Sequence, residues 1–443
     1  MLKIADHQSY GRNHARPHLV RAPDAVTVLT IYLCLLLIIP SNRGVGALGA
    51  AGVPASIFGL GALLWWCWHH IQRPHAKVTR DVQAVRIAMF CFVGAVVASY
   101  AVASLSALPV ADISVADTGL LRIASFAGVL FVANDGIPDQ ERFLVLIRRL
   151  CILAGLYALL GLVQFFTGMS IVDTIQIPGL STAAGEGMEG RAGFVRSVAT
   201  ARHPLEYAVV LIMALPFCLT MAIYDKKHSA LMRWFPVAAI TLSSVLSVTR
   251  SALIGLAAVF VVLLPSWPPS VRRNVLLAGG VGMAAVYVTV PGMMGTIVGM
   301  FSGHDTSVGS RTDSYSTAAA FFAVNPIFGR GFGTFLPAYR ILDNQYLSTV
   351  IESGLVGLAA LLAVLMAAMV VAFRGRNRVG ERPMRQLGLA LVASILAGGL
   401  LTAFFDCFAF PQACGMIFFV AGLCGAYWNL GQRPGTGITR EWR

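Results

Sequence analysis

Apolar residues along the chain gather into long runs broken by Pro, Gly and clusters of charge, a pattern that predicts helices rather than alternating strands. Twelve helices are expected, at approximately 26–40, 46–70, 85–107, 119–133, 143–167, 204–224, 234–248, 251–266, 274–290, 344–373, 385–405 and 408–430. A bilayer core about 30 Å thick takes roughly 20 mostly apolar helical residues per crossing. The expected fold class is therefore all-α, a polytopic integral membrane protein with about 12 transmembrane helices. The finest cuts between runs fall at Thr249-Arg250-Ser251 and around Asp406. The expected organisation is a tail at 1–25, a membrane unit at 26–430 and a tail at 431–443.

Composition sharpens this picture. Of 443 residues, 57% are hydrophobic and only 12% are charged, more apolar side chain than a soluble domain can hide. A soluble globular protein is excluded, and so is a large soluble domain. The first 24 residues are polar, and the first apolar run follows without a small-residue cleavage site, so a retained span is expected rather than a signal peptide.

The balance of 33 Lys+Arg against 20 Asp+Glu gives a net +13. In a soluble chain that would suggest nucleic acid; here it is read against the bilayer, because Lys and Arg accumulate in short cytoplasmic loops. With the N-terminus inside, 24 of the 33 basic residues fall on the inner side and nine on the outer: Arg43, Arg122, Arg191, Arg196, Arg202, Arg250, Arg311, Arg330 and Arg340. N-in, C-in topology follows. The excess of positive charge is an orientation signal, with no nucleic-acid partner implied.

The two longest connections, 168–203 and 291–343, both land outside, and connections of that length in compact proteins tend to be functional. The eight cysteines lie in or beside apolar runs without C-x-x-C spacing, which reads as packing rather than metal or redox chemistry. Only Cys407 and Cys414 stand near the outer face, where a disulfide is one alternative. No D-x-D and no acidic or His cluster has metal-ligand spacing, so no metal and no cofactor are expected. There is no P-loop either.

Every outer basic residue is Arg. The guanidinium is permanently charged and binds phosphate bidentately, so this set suits a diphosphate-bearing ligand, although Arg-rich coding and anchoring at lipid headgroups would give the same bias. Arg250 differs from the rest, lying between two apolar runs where a charge is costly and is by default functional. Asp343 precedes the tenth apolar run. It reads either as an N-cap or as a general base at the membrane surface. Glu352, Glu206 and Asp406 are carboxylates near helix ends, expected to pair with the outer arginines. His203, in ARHPLEY, precedes a helix opened by Pro204 and either contacts substrate or faces solvent. Gly329, Gly331 and Gly333 in NPIFGRGFGTF cannot be regular helix and bring backbone close to a ligand or to another helix.

These residues resemble the O-antigen ligase and Wzy-type polymerase superfamily of bacterial envelope glycosyltransferases. The ligase branch carries H-N-x9-G-x-x-G at the start of a late helix. Asp343, Asn344, nine residues, Gly354 and Gly357 reproduce every element except the leading His. Arg250-Ser-Ala-Leu-Ile is similar to the family's Arg-x-x-x-Leu element, with Ile254 for Leu, and Arg311 matches an outer-loop Arg. The detailed resemblance spans about 196–360.

What the resemblance implies is a GT-C-like, metal-independent, inverting glycosyltransferase of the bacterial cytoplasmic membrane with its site facing outward. It would move a glycan from a polyprenyl-diphosphate (undecaprenyl-type) donor to a glycan or glycolipid acceptor in cell-envelope polysaccharide biosynthesis. Asp343, Arg250 and Arg311 would be catalytic; Arg196, Arg202, His203, Arg330, Arg340, Asn344 and Glu352 would bind substrate. Asp343 in place of His makes a polymerase, or a ligase for another acceptor, more attractive than a lipid A-core ligase. Related peptidoglycan polymerases use an extracellular Asp. The rival class is a lipid-linked glycan flippase. Carriers built from two halves commonly join them by a long inner loop and place charge near the midplane, whereas here the central link, 225–233, is short.

A carboxylate base is ionised across the usual range, whereas a His base loses activity below about pH 6.5. The glycan transfer rate is therefore expected to change little between about pH 7 and 5.5; a steep fall in a rate–pH profile over that interval would argue against Asp343 as base.

Overall fold

The computed structural model describes residues 24–72, 83–106, 109–182, 187–191, 193–247, 249–299 and 306–432. The chain is all-helical apart from strands of two or three residues. Every one of the twelve apolar runs is met by a helix. They are α1 (Ala25–Ile38), α2 (Pro54–Ile71), α3 (Ala84–Leu105), α4 (Val110–Gly136), α5 (Gln140–Thr167), α7 (Pro204–Tyr224), α8 (Ala230–Leu246), α9 (Arg250–Leu263), α10 (Pro269–Thr289), α13 (Gln345–Gly375), α14 (Arg382–Leu401) and α15 (Pro411–Gln432).

Seven of them, α3, α4, α5, α7, α13, α14 and α15, are long and apolar enough to cross a membrane, with an eighth if the 3-10 segment Gly46–Gly52 and α2, bent by 74°, form one span. This is fewer than the twelve crossings expected, for a simple reason of length. At 1.5 Å per residue, the 14 residues of α1 or of α9 reach about 21 Å, short of an apolar layer about 30 Å thick. α10 opens on Arg272, Arg273 and Asn274, which dilutes its apolar stretch.

The long connections also differ from plain loops. Residues 168–203 carry the single turn α6 (Ile171–Thr174) and the strands β2 (Ser181–Thr182), β3 (Glu189–Arg191) and β4 (Phe194–Arg196); β2 pairs with β1 (Arg43–Gly44), and β3 with β4. Residues 291–343 contain two helices, α11 (Met293–Gly299) and α12 (Thr306–Val324).

α7 and α15 form the centre, with 89% of the apolar window of each buried. Their sequences are apolar on all sides, as a helix surrounded by other helices requires. Phe92 of α3, Phe126 of α4 and Phe418 of α15 stack there, which ties three helices together. The peripheral helices turn apolar side chains outward, among them Leu64 and Trp68 on α2, Phe90 and Val97 on α3, and Leu362 and Phe373 on α13. A belt of this kind on the outside of a bundle is what a lipid environment accommodates.

The polar groups segregate to the two ends. At one end lie the ion pairs Arg142–Asp24, Arg148–Asp225 and Arg86–Asp135. The other end gathers the starts of α4, α7, α9, α13 and α15; it is called the site end below.

α13 is broken near its start. Gly354 has φ 63°, ψ −165°, outside helical geometry. The break frees backbone groups that segment 326–331 takes up: the N–H groups of Arg330 and Gly331 donate to the Ile351 and Glu352 carbonyls (2.9 and 2.8 Å), while Leu355 and Val356 donate to Pro326 and Ile327 (2.9 and 3.2 Å). The glycine-rich run thus approaches a helix. Gly329, at φ 71°, leaves no space for a Cβ against the Glu352 backbone, and a Cβ on Gly354 would overlap the Ile327 carbonyl.

Gly354→Ala is expected to be severely destabilising, by about 2–4 kcal/mol, since it adds left-handed strain to a steric overlap with backbone. The check is the thermal unfolding midpoint of the detergent-solubilised protein, compared with that of Gly380→Ala, where the added Cβ meets open space.

Candidate active site

Residues 402–410, between α14 and α15, organise the site end. Buried Gln345, at the start of α13, accepts the Phe408 N–H on its Oε1 at 2.7 Å. The Phe408 carbonyl accepts from Arg122 (2.6 Å) and the Ala409 carbonyl from Arg202 (3.3 Å), while the Arg202 guanidinium lies 5.9 Å from the Phe410 ring centre. One short link therefore touches α13 on one side and two arginines on the other. Cys407 and Cys414 are both free and buried, their Sγ atoms 3.2 Å apart.

Arg122 and Arg202 open on a recess of about 280 Å³, which Arg43 also lines. Five stretches of chain meet there: the 41–53 segment, Ser181 and Thr182 of β2, the α4 arginine, Arg202, and Ala409 with Pro411. The β1–β2 pairing, Arg43 with Thr182 and Gly44 with Ser181, closes one wall. Arg43 is 5% exposed and donates to the Asp173 carbonyl at 3.3 Å. The Nε atoms of Arg43 and Arg122, and the Asn42 Oδ1, are buried without a hydrogen-bond partner among the described residues. A buried unsatisfied polar group is costly, so the two guanidinium Nε donors beside the cavity favour an anion, whereas the Asn42 Oδ1, an acceptor, would take a hydroxyl or amide donor.

Glu206 fixes the base of this arrangement. It is fully buried and accepts from Ser41 Oγ (2.7 Å), the Gln412 N–H (2.6 Å) and the Arg202 N–H (3.0 Å), tying the end of α1 to the starts of α7 and α15. Tyr157 and Thr200 complete the network through the Gln412 amide. The ion pair expected for Glu206 is replaced by backbone and hydroxyl donors. Glu352 follows the same rule, its carboxylate accepting the N–H groups of Phe335 (3.3 Å) and Gly333. It holds the glycine-rich segment in place.

Asp343 stands at φ 48°, one of two non-glycine residues with positive φ among those described; the left-handed region costs such a residue about 1–2 kcal/mol. The cap of α13 is Asn344, whose Oδ1 accepts from the Tyr346 and Leu347 N–H groups at 3.0 and 3.3 Å. The cap reading of Asp343 is corrected accordingly, and Asn344 has a structural task. Asp343 itself remains partly exposed. Beside it, Asp406 accepts from Ser348 Oγ at 2.5 Å. Burial pushes the Asp406 carboxyl above the ordinary range; the Ser348 hydroxyl pulls it back, and the Asp343 charge raises it further.

The remaining candidates divide. His203 caps α7, its Nδ1 accepting the Leu205 N–H at 3.0 Å, which leaves Nε2 facing Glu189 at 3.5 Å. Arg196 is buried and paired with Glu189 at 2.7 Å. Arg330 pairs with Asp112 at the start of α4 and lies over the Tyr339 ring. Arg340 reaches Ser314 and Thr317 of α12 at 3.2 and 3.5 Å. Arg250 is half-buried at the first position of α9. That helix packs near the last turn of α14, Gly255 lying against Leu401, while Tyr346 of α13 bonds the Gly399 carbonyl of the same turn. The helices that begin at Arg250 and just after Asp343 thus pack against one helix end. Arg311 is in α12, and its side chain lies outside the described residues.

Residues 235–362 match the family model described as O-antigen ligase. Over this segment the chain is similar to the O-antigen ligase family. The matched segment runs from α8 into α13 and contains Arg250, Arg311, Arg330, Arg340, Asp343, Asn344 and Glu352. Arg43, Arg122, Arg196, Arg202, His203 and Asp406 lie outside it. No curated protein matches the chain. The match supports an O-antigen ligase-type reading of a chain whose long apolar helices suit a multi-pass membrane protein.

Two recess arginines were missed in the sequence. Arg43 reaches the recess through a strand pairing 139 residues away, at Thr182, for which local sequence carries no signal. Arg122 did leave one. α4 begins at Val110 rather than 119, so Arg122 lies well inside a spanning helix, where the argument used for Arg250 applies equally. Among the described residues, no three His, Cys, Asp or Glu side chains gather as a metal-ligand set.

Proposed function

We propose that the protein is an inverting glycosyltransferase that joins a glycan from a polyprenyl-diphosphate donor to an acceptor hydroxyl, with the site end facing the outer compartment. The observation that carries the reading is the convergence of Arg43, Arg122 and Arg202 on one recess, in a chain similar over 235–362 to the O-antigen ligase family. Three guanidinium groups around a cavity of this size suit the four or five charged oxygens of a diphosphate ester.

In the proposed reaction the acceptor oxygen attacks the anomeric carbon from the face opposite the diphosphate. The new C–O bond forms as the bond from that carbon to the phosphate oxygen breaks, and its electron pair leaves on the polyprenyl diphosphate. Asp343 takes the hydroxyl proton. The arginines neutralise the charge growing on the leaving group, as prearranged donors do at other sites of developing negative charge. Arg250, at the start of α9, and Arg311 from α12 add to that field. The partners are the lipid-linked donor, a glycan or glycolipid acceptor, and the bilayer in which the polyprenyl tail lies.

Removal of one donor to a developing anion lowers turnover about 10²–10³-fold in other enzymes. Arg122→Ala, Arg202→Ala and Arg250→Ala are expected to lower kcat/KM by about that factor. The assay is product analysis with purified protein in lipid nanodiscs and a lipid-linked oligosaccharide. Translocation of the donor without new glycosidic bonds would replace this reading with a carrier, and unchanged turnover in all three variants would remove the arginines from the site.

A further inference from the structure

We propose that Gln164, in the last turn of α5, is a positioning residue for the arginine recess, its amide holding the turn on which Arg202 and the Arg43 segment both depend. The inference deepens the diphosphate reading above and rests on it. A non-glycine residue in the left-handed region persists only where its surroundings over-determine it, and Ala199 stands at φ 51°. Here the surroundings are the Gln164 side chain. Its Oε1 accepts the Val198 and Ala199 N–H groups at 3.1 and 2.7 Å, and its Nε2 donates to the Ala199 carbonyl at 2.9 Å. Gln164, Val198 and Ala199 are all buried, where backbone N–H and C=O groups need partners inside the protein. The three bonds also fix which way the amide points, since an NH2 in place of Oε1 would face two N–H donors.

The turn closes with the Ala201 N–H on the Val198 carbonyl at 2.8 Å, and Thr200 inside it is where walls of the recess attach. The Thr200 carbonyl accepts the Ser41 N–H at 2.9 Å, close before Arg43 in the chain, and Gln412 Nε2 at 3.3 Å, next to Pro411. Arg202 follows directly, its N–H on Glu206 at 3.0 Å. The 41–53 segment, Arg202 and the Ala409–Pro411 stretch of the recess therefore take their positions from residues 198–202. Gln164 does not line the recess, so its amide reaches a bound anion only through these neighbours. Catalytic geometry is sensitive to small displacements, since a shift of about 1 Å can cost about a hundredfold in rate.

The test uses the full chain in lipid nanodiscs with two readouts: steady-state glycan transfer from a lipid-linked oligosaccharide, and binding of inorganic pyrophosphate by isothermal titration. Gln164→Met, which keeps the length and removes the amide, is expected to lower the donor kcat/KM and to weaken pyrophosphate binding by about tenfold each, with the acceptor KM within about twofold. In an Arg202→Ala background the same substitution is expected to weaken pyrophosphate binding by about threefold or less, because residues that act through one another are non-additive. Gln164→Glu, which keeps an acceptor for the two N–H groups, is expected to fall between Gln164→Met and wild type. Wild-type kcat/KM and pyrophosphate binding in Gln164→Met overturn the proposal, as does a loss repeated in full in the Arg202→Ala background, which would mark a general structural role. Should Gln164→Met fail to give monodisperse protein, unchanged binding and turnover in both Gln164→Glu and Gln164→Asn, whose shorter side chain draws the amide away from the turn, overturn it. Wild-type pyrophosphate binding in both Arg43→Ala and Arg202→Ala would instead remove the diphosphate reading of the recess, and this inference with it.

Discussion

Backbone buried in an apolar bundle must find hydrogen-bond partners inside the protein, and the site end depends on how residues 402–410 meet that requirement. The link between α14 and α15 is two single 3-10 turns, Thr402–Phe404 and Cys407–Ala409, and is largely buried. Its Phe408 N–H goes to the Gln345 side chain, and its Phe408 and Ala409 carbonyls go to Arg122 and Arg202. Two arginines are thus placed beside a cavity as a by-product of satisfying two carbonyls. A guanidinium has five N–H donors, so one bond to a carbonyl leaves most of its fork directed elsewhere.

The buried carboxylates follow the same logic in reverse. Glu206 and Glu352 sit in spanning helices, where an ionised group needs partners, and both take backbone N–H groups of irregular segments: Arg202 and Gln412 for Glu206, Phe335 and Gly333 for Glu352. Their role is to hold loops against helix ends. Because backbone dipoles rather than guanidinium groups satisfy them, neither carboxylate hydrogen-bonds the side chain of Arg43 or Arg122, whose bonds go to the Asp173 and Phe408 carbonyls.

Much of this architecture is legible in the sequence because it is local. Each apolar run became a helix, although the break at Gly354 inside the 344–373 run was not expected, since a glycine permits a positive φ without requiring it. His203 before Pro204 marked the start of α7, and the superfamily motif located Asp343 and Arg250. What failed to show was set by contacts distant in the chain. The Arg43–Thr182 pairing, the carbonyl that Arg122 finds 286 residues away and the Ser348–Asp406 bond across 58 residues have no local pattern. Asn344 rather than Asp343 caps α13, because residue 343 is in the left-handed region and residue 344 is extended, the conformation that a capping residue adopts.

An aspartate where the ligase branch has histidine changes the electrostatics of the whole end. A neutral imidazole can approach an anionic donor without repulsion, whereas a carboxylate cannot. Two unit charges about 7 Å apart, at an effective dielectric near 20, repel by roughly 2 kcal/mol, enough to weaken donor binding about thirtyfold if nothing offsets it. The arrangement around residues 406–409 supplies an offset in two ways. Arg122 and Arg202 are held to the link by its Phe408 and Ala409 carbonyls, which keeps two positive charges at the recess. Arg43 adds a third positive charge to the recess without lying in the segment that carries the superfamily motif. In this reading, a change of base from imidazole to carboxylate is matched by positive charge drawn from three parts of the chain, α4, the 41–53 segment and the start of α7.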